Sequence, residues 1–249
     1  MQKLLTYEEL KLMRQAGKVA SLFLKKLKKR IRPHTSTKSI EEFFEKFIKH
    51  YPEMSAAFRG YKNYPASLCV SINEEIIHGI PTSSKIIKDG SLVSVDLGIK
   101  YKGLFVDVAY TYKVGKISTL AKKLRQVSLK ALYEGIKKAR VGARVGDISC
   151  AIQKVVESNR FSVIRKFVGH GIGKDLHLPP EVPNFGKSDE GEKLTEGLVL
   201  AIEPMVSAGT FDVDILCDGW TAKTKDNSLS AHFEHTVAIT KKGPWIITQ

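Results

Sequence analysis

Four acidic residues interrupt apolar runs that would otherwise read as strands: Asp96 in SLVSVDLGI, Asp107 in GLFVDVAYTY, Glu203 in GLVLAIEP and Glu234 in SAHFEHTVAIT. A carboxylate between Val and Leu loses hydration that only a proton, a hydrogen-bond donor or a cation can replace. If the two aspartate runs form a hairpin whose turn centres between Tyr101 and Lys102, Asp96 lies directly opposite Asp107. Their Cβ atoms would then be about 5 Å apart. Like charges at that spacing repel, and a divalent cation between them is the economical remedy. Alternation groups Glu203 with Ala201 and Val199 on a face expected to be buried, and Glu234 with His232 and Thr236. His235 falls on the other face and reads as structural.

The run VGHGIGKDLHLPP adds His170 and His177. Glycines on both sides of His170 argue against a helix and let the backbone pass close to other groups. Imidazole beside carboxylate suits Mn, Fe, Co or Zn better than Mg or Ca. The chain has no GxGxxG after a strand, and no GxxxxGK[ST], HExxH or GxSxG, which argues against dinucleotide, P-loop, zincin and serine-hydrolase chemistry. Cys69 near His78 is an apolar-flanked thiol and reads as packing rather than as a nucleophile.

These residues need strands to carry them and helices to cover the strands. Helical periodicity predicts helices over 7–30, 39–50, 119–139 and 145–159, with Glu41 and Glu42 in the first turn of the second. Strands are predicted at 67–72, in the two aspartate runs, and in FSVIRKFVG, GLVLAIEPMV and SAHFEHTVAIT. The order helix, strand, helix, strand suggests two α+β halves with a site between them, inside one domain spanning residues 1–249. The 249 residues are 43% hydrophobic, enough for a substantial core, and the formal net charge is +14, which favours polyanionic surroundings such as RNA. No run is long and apolar enough for a membrane helix, and MQKLLTYEELKLMRQ does not read as a signal peptide. Cys69, Cys150 and Cys217 are too few and too scattered for a disulfide framework, so a reducing cytoplasm is the expected compartment, and a monomer is the default expectation.

The ordered set SINEEIIHGIP, VSVDLGIKYKGLFVDVAYTY, VGHGIGKDLHLPPEVPNFG, AIEPMVSAGT and SAHFEHTVAIT resembles the type I methionine aminopeptidases across nearly the whole chain. The resemblance implies the α/β pita-bread fold, two pseudo-symmetric halves with antiparallel sheet enclosing a dinuclear metal site and helices outside. It implies Asp96, Asp107, His170, Glu203 and Glu234 as ligands of two divalent ions, Asp107 and Glu234 bridging. It further implies Glu203 as proton carrier for a bridging water or hydroxide, and His78 and His177 as contacts to the scissile amide. The methionine pocket maps to Phe58, Tyr61, Tyr64, Cys69, Leu176 and Trp220. Phe58 replaces a frequent cysteine, Leu176 a frequent phenylalanine and His232 a frequent glutamine.

The activity so implied is removal of the initiator methionine before a small second residue. Two alternatives share parts of the pattern: a proline-directed peptidase with the same ligands, and a non-catalytic basic scaffold for ribosomes or nucleic acid. KKLKKR at 25–30 with Lys223 and Lys225 motivates the second, or a working enzyme that approaches the ribosome through its basic surface. Four unpaired buried carboxylates weigh against a scaffold.

Overall fold

The computed structural model describes residues 4–249. Helix α1 (Tyr7–Leu27) opens with a capping box, Thr6 accepting from the Glu9 N–H while the Glu9 carboxylate accepts from the Thr6 N–H. Helix α2 (Thr37–Ile48) is capped by Ser36. It therefore starts earlier than the sequence suggests, and Glu41 lies beyond its first turn. Glu41 is instead buried, ion-paired with Arg59 and Lys38 and accepting the Ser67 N–H. Strands β1 (Met54–Ala56), β2 (Cys69–Ile72), β3 (Glu75–Ile77), β4 (Leu92–Tyr101) and β5 (Leu104–Lys113) complete the first half.

The second half begins with α3 (Thr119–Lys138) and α4 (Val145–Glu157), capped by Ser118 and by the Arg144–Asp147 pair respectively. Its strands are β6 (Ser162–Val163), β7 (Gly169–Gly171), β8 (Leu178–Val182), β9 (Val199–Ile202), β10 (Met205–Ser207), β11 (Val213–Ile215), β12 (Ala222–Thr224), β13 (Ser230–His232), β14 (His235–Thr240) and β15 (Gly243–Ile246). Three runs expected as single strands are therefore broken. FSVIRKFVG divides into β6 and β7, GLVLAIEPMV into β9 and β10, and SAHFEHTVAIT into β13 and β14. Each break is a change of sheet: β6, β10 and β13 form one three-stranded sheet, while β7, β9 and β14 belong to a five-stranded one.

The two larger of three apolar clusters lie mainly one in each half. Met13, Phe23, Phe44, Val95, Leu97 and Val106 pack where α1 and α2 cover the β4–β5 sheet. Leu124, Ala131, Ile148, Ile152, Leu200 and Val237 pack where α3 and α4 cover β9 and β14. All sheet pairings among the described residues are antiparallel. With helices outside and sheet within, this is the pita-bread arrangement.

The halves are joined along β5 by hydroxyl groups rather than by a full backbone ladder. Thr236 Oγ1 accepts from the Asp107 N–H and donates to the Asp107 carbonyl, both at 2.8 Å. Reciprocally, Thr111 Oγ1 accepts from the His232 N–H at 2.9 Å and donates to the His232 carbonyl at 2.7 Å. Midway, the Glu234 N–H donates to the Ala109 carbonyl at 3.0 Å. The symmetry of these contacts makes the pairing of the halves local and specific.

Candidate metal centre

Hairpin β4–β5 delivers the two aspartates, but in a register shifted from the expected one. Asp96 faces Ala109 and Asp107 faces Gly98. The turn is Lys102–Gly103, both at positive φ (49° and 78°), as the tight primed hairpin turns require. The aspartates thus share a face as diagonal neighbours, about 7–8 Å apart along the backbone rather than directly opposed. Their carboxyl groups still reach one another, and the offset leaves room beside them that direct opposition would fill.

His170 comes from β7, where Gly169 lets the chain pass against β9: a Cβ there would lie 2.3 Å from the Ala201 carbonyl oxygen. The His170 Nδ1 is 2.9 Å from the Gly171 carbonyl. That contact makes Nδ1 the protonated nitrogen and leaves the Nε2 lone pair free for a cation. Glu203 and Glu234 occupy the gaps where the chain leaves one sheet for another, β9 to β10 and β13 to β14. Ligand atoms of Asp107, His170 and Glu234 all lie within 4.8 Å of one another. Glu203 Oε1 is 3.6 Å from His170 Nε2, and its Oε2 is 3.4 Å from His232 Nε2.

All four carboxyl groups are buried, and among the described residues no lysine or arginine pairs with any of them. Burial first, then mutual repulsion, holds Asp96, Glu203 and Glu234 well above the ordinary carboxylate range. Burial lifts Asp107 to about 7, partly offset by its bonds to Asp96 and the Val108 N–H. Asp96 Oδ1 is buried without a partner. Such a set is unstable as anions and fits two dications well: four negative charges and a neutral imidazole would balance four positive ones.

The cluster lines a cleft of about 260 Å³. Phe58, Tyr61, Tyr64, Cys69, Leu176 and Trp220 also line it, together with His78 and His177. Trp220 meets Tyr64 edge-on at 5.1 Å and His78 at 6.1 Å between ring centroids. His78 has φ 58° and also packs edge-on against Phe167. His177 stacks on Tyr61, whose hydroxyl is 2.9 Å from Nδ1. Desolvation within the cleft lowers the pKa of His78 to about 4; that of His177, a residue still exposed at the surface, falls to about 4 through desolvation together with the nearby Lys62 and His78. Two features escaped the sequence reading: the Tyr61–His177 contact, which joins residues 116 positions apart, and Lys62 in the cleft wall. Neither has a periodic or motif signal.

Hard and borderline donors gathered in an apolar cleft, with neutral imidazoles beside them, are the equipment of a metal-dependent hydrolase. The profile of metallopeptidase family M24 matches residues 11–241. Methionine aminopeptidase 1 of Bacillus subtilis is 47% identical over 244 residues, 98% of each chain. That of Clostridium perfringens is 48% identical over 240 residues, 96% of each chain. The crystal structure of the methionine aminopeptidase from Thermotoga maritima superposes with a TM-score of 0.98 at 43% identity, covering both chains fully. The chain belongs to the methionine aminopeptidases of metallopeptidase family M24.

Proposed function

We infer that the enzyme removes the N-terminal methionine of peptides and newly made proteins when the second residue is small. The observation that carries this reading is the juxtaposition of the five metal-type donors with an apolar wall of aromatic and sulfur groups suited to an unbranched thioether. Asp96, Asp107, His170, Glu203 and Glu234 would hold two divalent ions, drawn from Mn, Fe, Co or Zn. When bound, the ions supply an acidified water and Lewis acidity at the scissile carbonyl.

The protein's own groups do the rest. Glu203, buried beside His170 and ionised once the site's cations are held, would take a proton from the attacking water and return it to the leaving nitrogen. Burial also raises the Tyr61 hydroxyl pKa, so that group stays protonated and donates to His177 Nδ1. The His177 Nε2–H is then free to donate to the developing oxyanion. His78, fixed between Trp220 and Phe167, is positioned to hold the next amide of the substrate. The apolar wall takes the methionine side chain, with Phe58 and Leu176 narrowing it.

We further propose that the unit acts as a single catalytic domain spanning residues 1–249, as a cytoplasmic monomer, and that its basic surface draws it to ribosomes. Among the described residues no helix is long and apolar enough to cross a membrane.

The deciding experiment measures metal content and turnover on one preparation. Met-Ala-Ser should be cut far faster than Met-Leu-Ser or an Xaa-Pro peptide. Chelation or Asp107→Ala should remove most bound metal and lower kcat/KM by at least about 100-fold. Full activity without metal, or faster cleavage of Xaa-Pro, contradicts the reading.

A further inference from the structure

Among the described residues lining the catalytic cleft, Lys62 is the single lysine or arginine. It stands in a short 3-10 turn, Tyr61–Asn63, with its backbone at φ 47° and that of Asn63 at φ 69°. Two successive non-glycine residues in the left-handed region cost energy that the surrounding structure must offset. The Lys62 side chain is exposed, and its ammonium lies 5.5 Å from the centroid of the Tyr61 ring. No carboxylate of the described residues pairs with it. It nevertheless adjoins the reaction centre: the Tyr61 ring beneath its ammonium carries the hydroxyl that lies 2.9 Å from His177 Nδ1.

The direction of a substrate in the cleft follows from the reading above, on which this inference rests. An amino terminus placed at the buried carboxylates puts the scissile carbonyl near His177, so the rest of the peptide must leave through the open side. Lys62 is on that side and adjoins Tyr61, the partner of His177. A cation without an anionic partner, beside the path of an outgoing peptide, attracts a carboxylate on that peptide and repels an ammonium.

We propose that Lys62 is a specificity-determining residue that reads a carboxylate downstream of the scissile bond, so that the enzyme prefers substrates carrying Asp or Glu within the first few residues after the small second one. A side chain or the free C-terminus of a short peptide supplies that carboxylate.

The test uses the metal-loaded enzyme and C-terminally amidated peptides Met-Ala-Xaa-Ser-Gly, with Glu, Gln or Lys placed in turn at positions three, four and five. A free-acid version of the Gln peptide separates the terminal source from the side-chain source. At low ionic strength the Glu peptide should exceed its Gln counterpart by about threefold to fivefold in kcat/KM at one of these positions, through KM rather than kcat. The ratio is read within each enzyme, so any general loss of activity in a variant cancels. Lys62→Gln should bring it to one, Lys62→Glu should invert it, and Lys62→Arg should keep it. A Glu-to-Gln ratio of one in the native enzyme, or a ratio unchanged in Lys62→Gln, overturns the proposal while leaving the peptidase reading intact. Failure to cut even the Gln peptide overturns both.

Discussion

At the scale of single residues, the metal-free site is a store of protons. Asp96, Asp107, Glu203 and Glu234 all hold protons to higher pH than free carboxyl groups do, Asp107 to about 7. His170 is pushed the other way, to about 3, chiefly by burial, so it is already neutral when a cation arrives. Binding of Mn or Co at pH 6.5 should therefore release protons from the carboxyls and none from the imidazole, and affinity should fall as pH falls. Titration calorimetry in two buffers of different ionisation enthalpy reads the number directly. Zero release, or uptake, would show that the carboxyls are already ionised. The identities of these residues were legible because a charge inside an apolar strand needs a reason. Their geometry was less so. The register of the hairpin depends on the left-handed Lys102–Gly103 turn, a fact of backbone conformation that counting from each end does not reveal. Lys62 was invisible altogether, since a lysine in a loop looks like any solvated lysine until the cleft is seen around it.

At the scale of elements, the Thr236 hydroxyl satisfies both backbone groups of Asp107, a buried aspartate of the proposed metal site. Thr236→Val keeps the shape and removes both bonds, leaving a buried N–H and a carbonyl without partners. It should destabilise the protein by about 3 kcal/mol, measured by denaturant unfolding, and loosen metal binding through the displaced Asp107. Thr236→Ser, which retains the hydroxyl, should recover most of both losses. Equal stability of the Val and Ser variants would mean that the hydroxyl contributes only its packing. Helices were read well from periodicity, apart from their ends. The broken strands were not, because alternation continues across a residue at which the chain changes sheets. Glu203 and Glu234 stand at such breaks, in a position that alternation alone describes as mid-strand.

At the scale of the whole molecule, the excess of positive charge is unevenly committed. Within KKLKKR, Arg30 stacks over Phe43 at 4.1 Å and Lys26 over Phe47 at 5.5 Å, while Lys25, Lys28 and Lys29 are exposed. Lys223 donates to Asn227 Oδ1 at 2.7 Å. Reversing the charges of Lys25, Lys28 and Lys29 together should weaken cosedimentation with ribosomes severalfold at low salt and leave turnover of short peptides unchanged. Cosedimentation that persisted unchanged would remove these lysines from the proposed partner surface. The two-part plan of the molecule was legible in the order of its elements and in the pairing of carboxylates, whereas the way the parts are joined was not.

That junction has a consequence in time. Thr236 lies 129 residues beyond Asp107, so a ribosome adding about 5–20 residues per second needs roughly 6–26 s to supply the second partner after the first has been made. Until then the outer edge of β5 presents N–H and carbonyl groups with nothing to close them, an invitation to any neighbouring strand. Asp107 and Lys113 put charges on that strand, and charged side chains on an exposed edge disfavour such pairing.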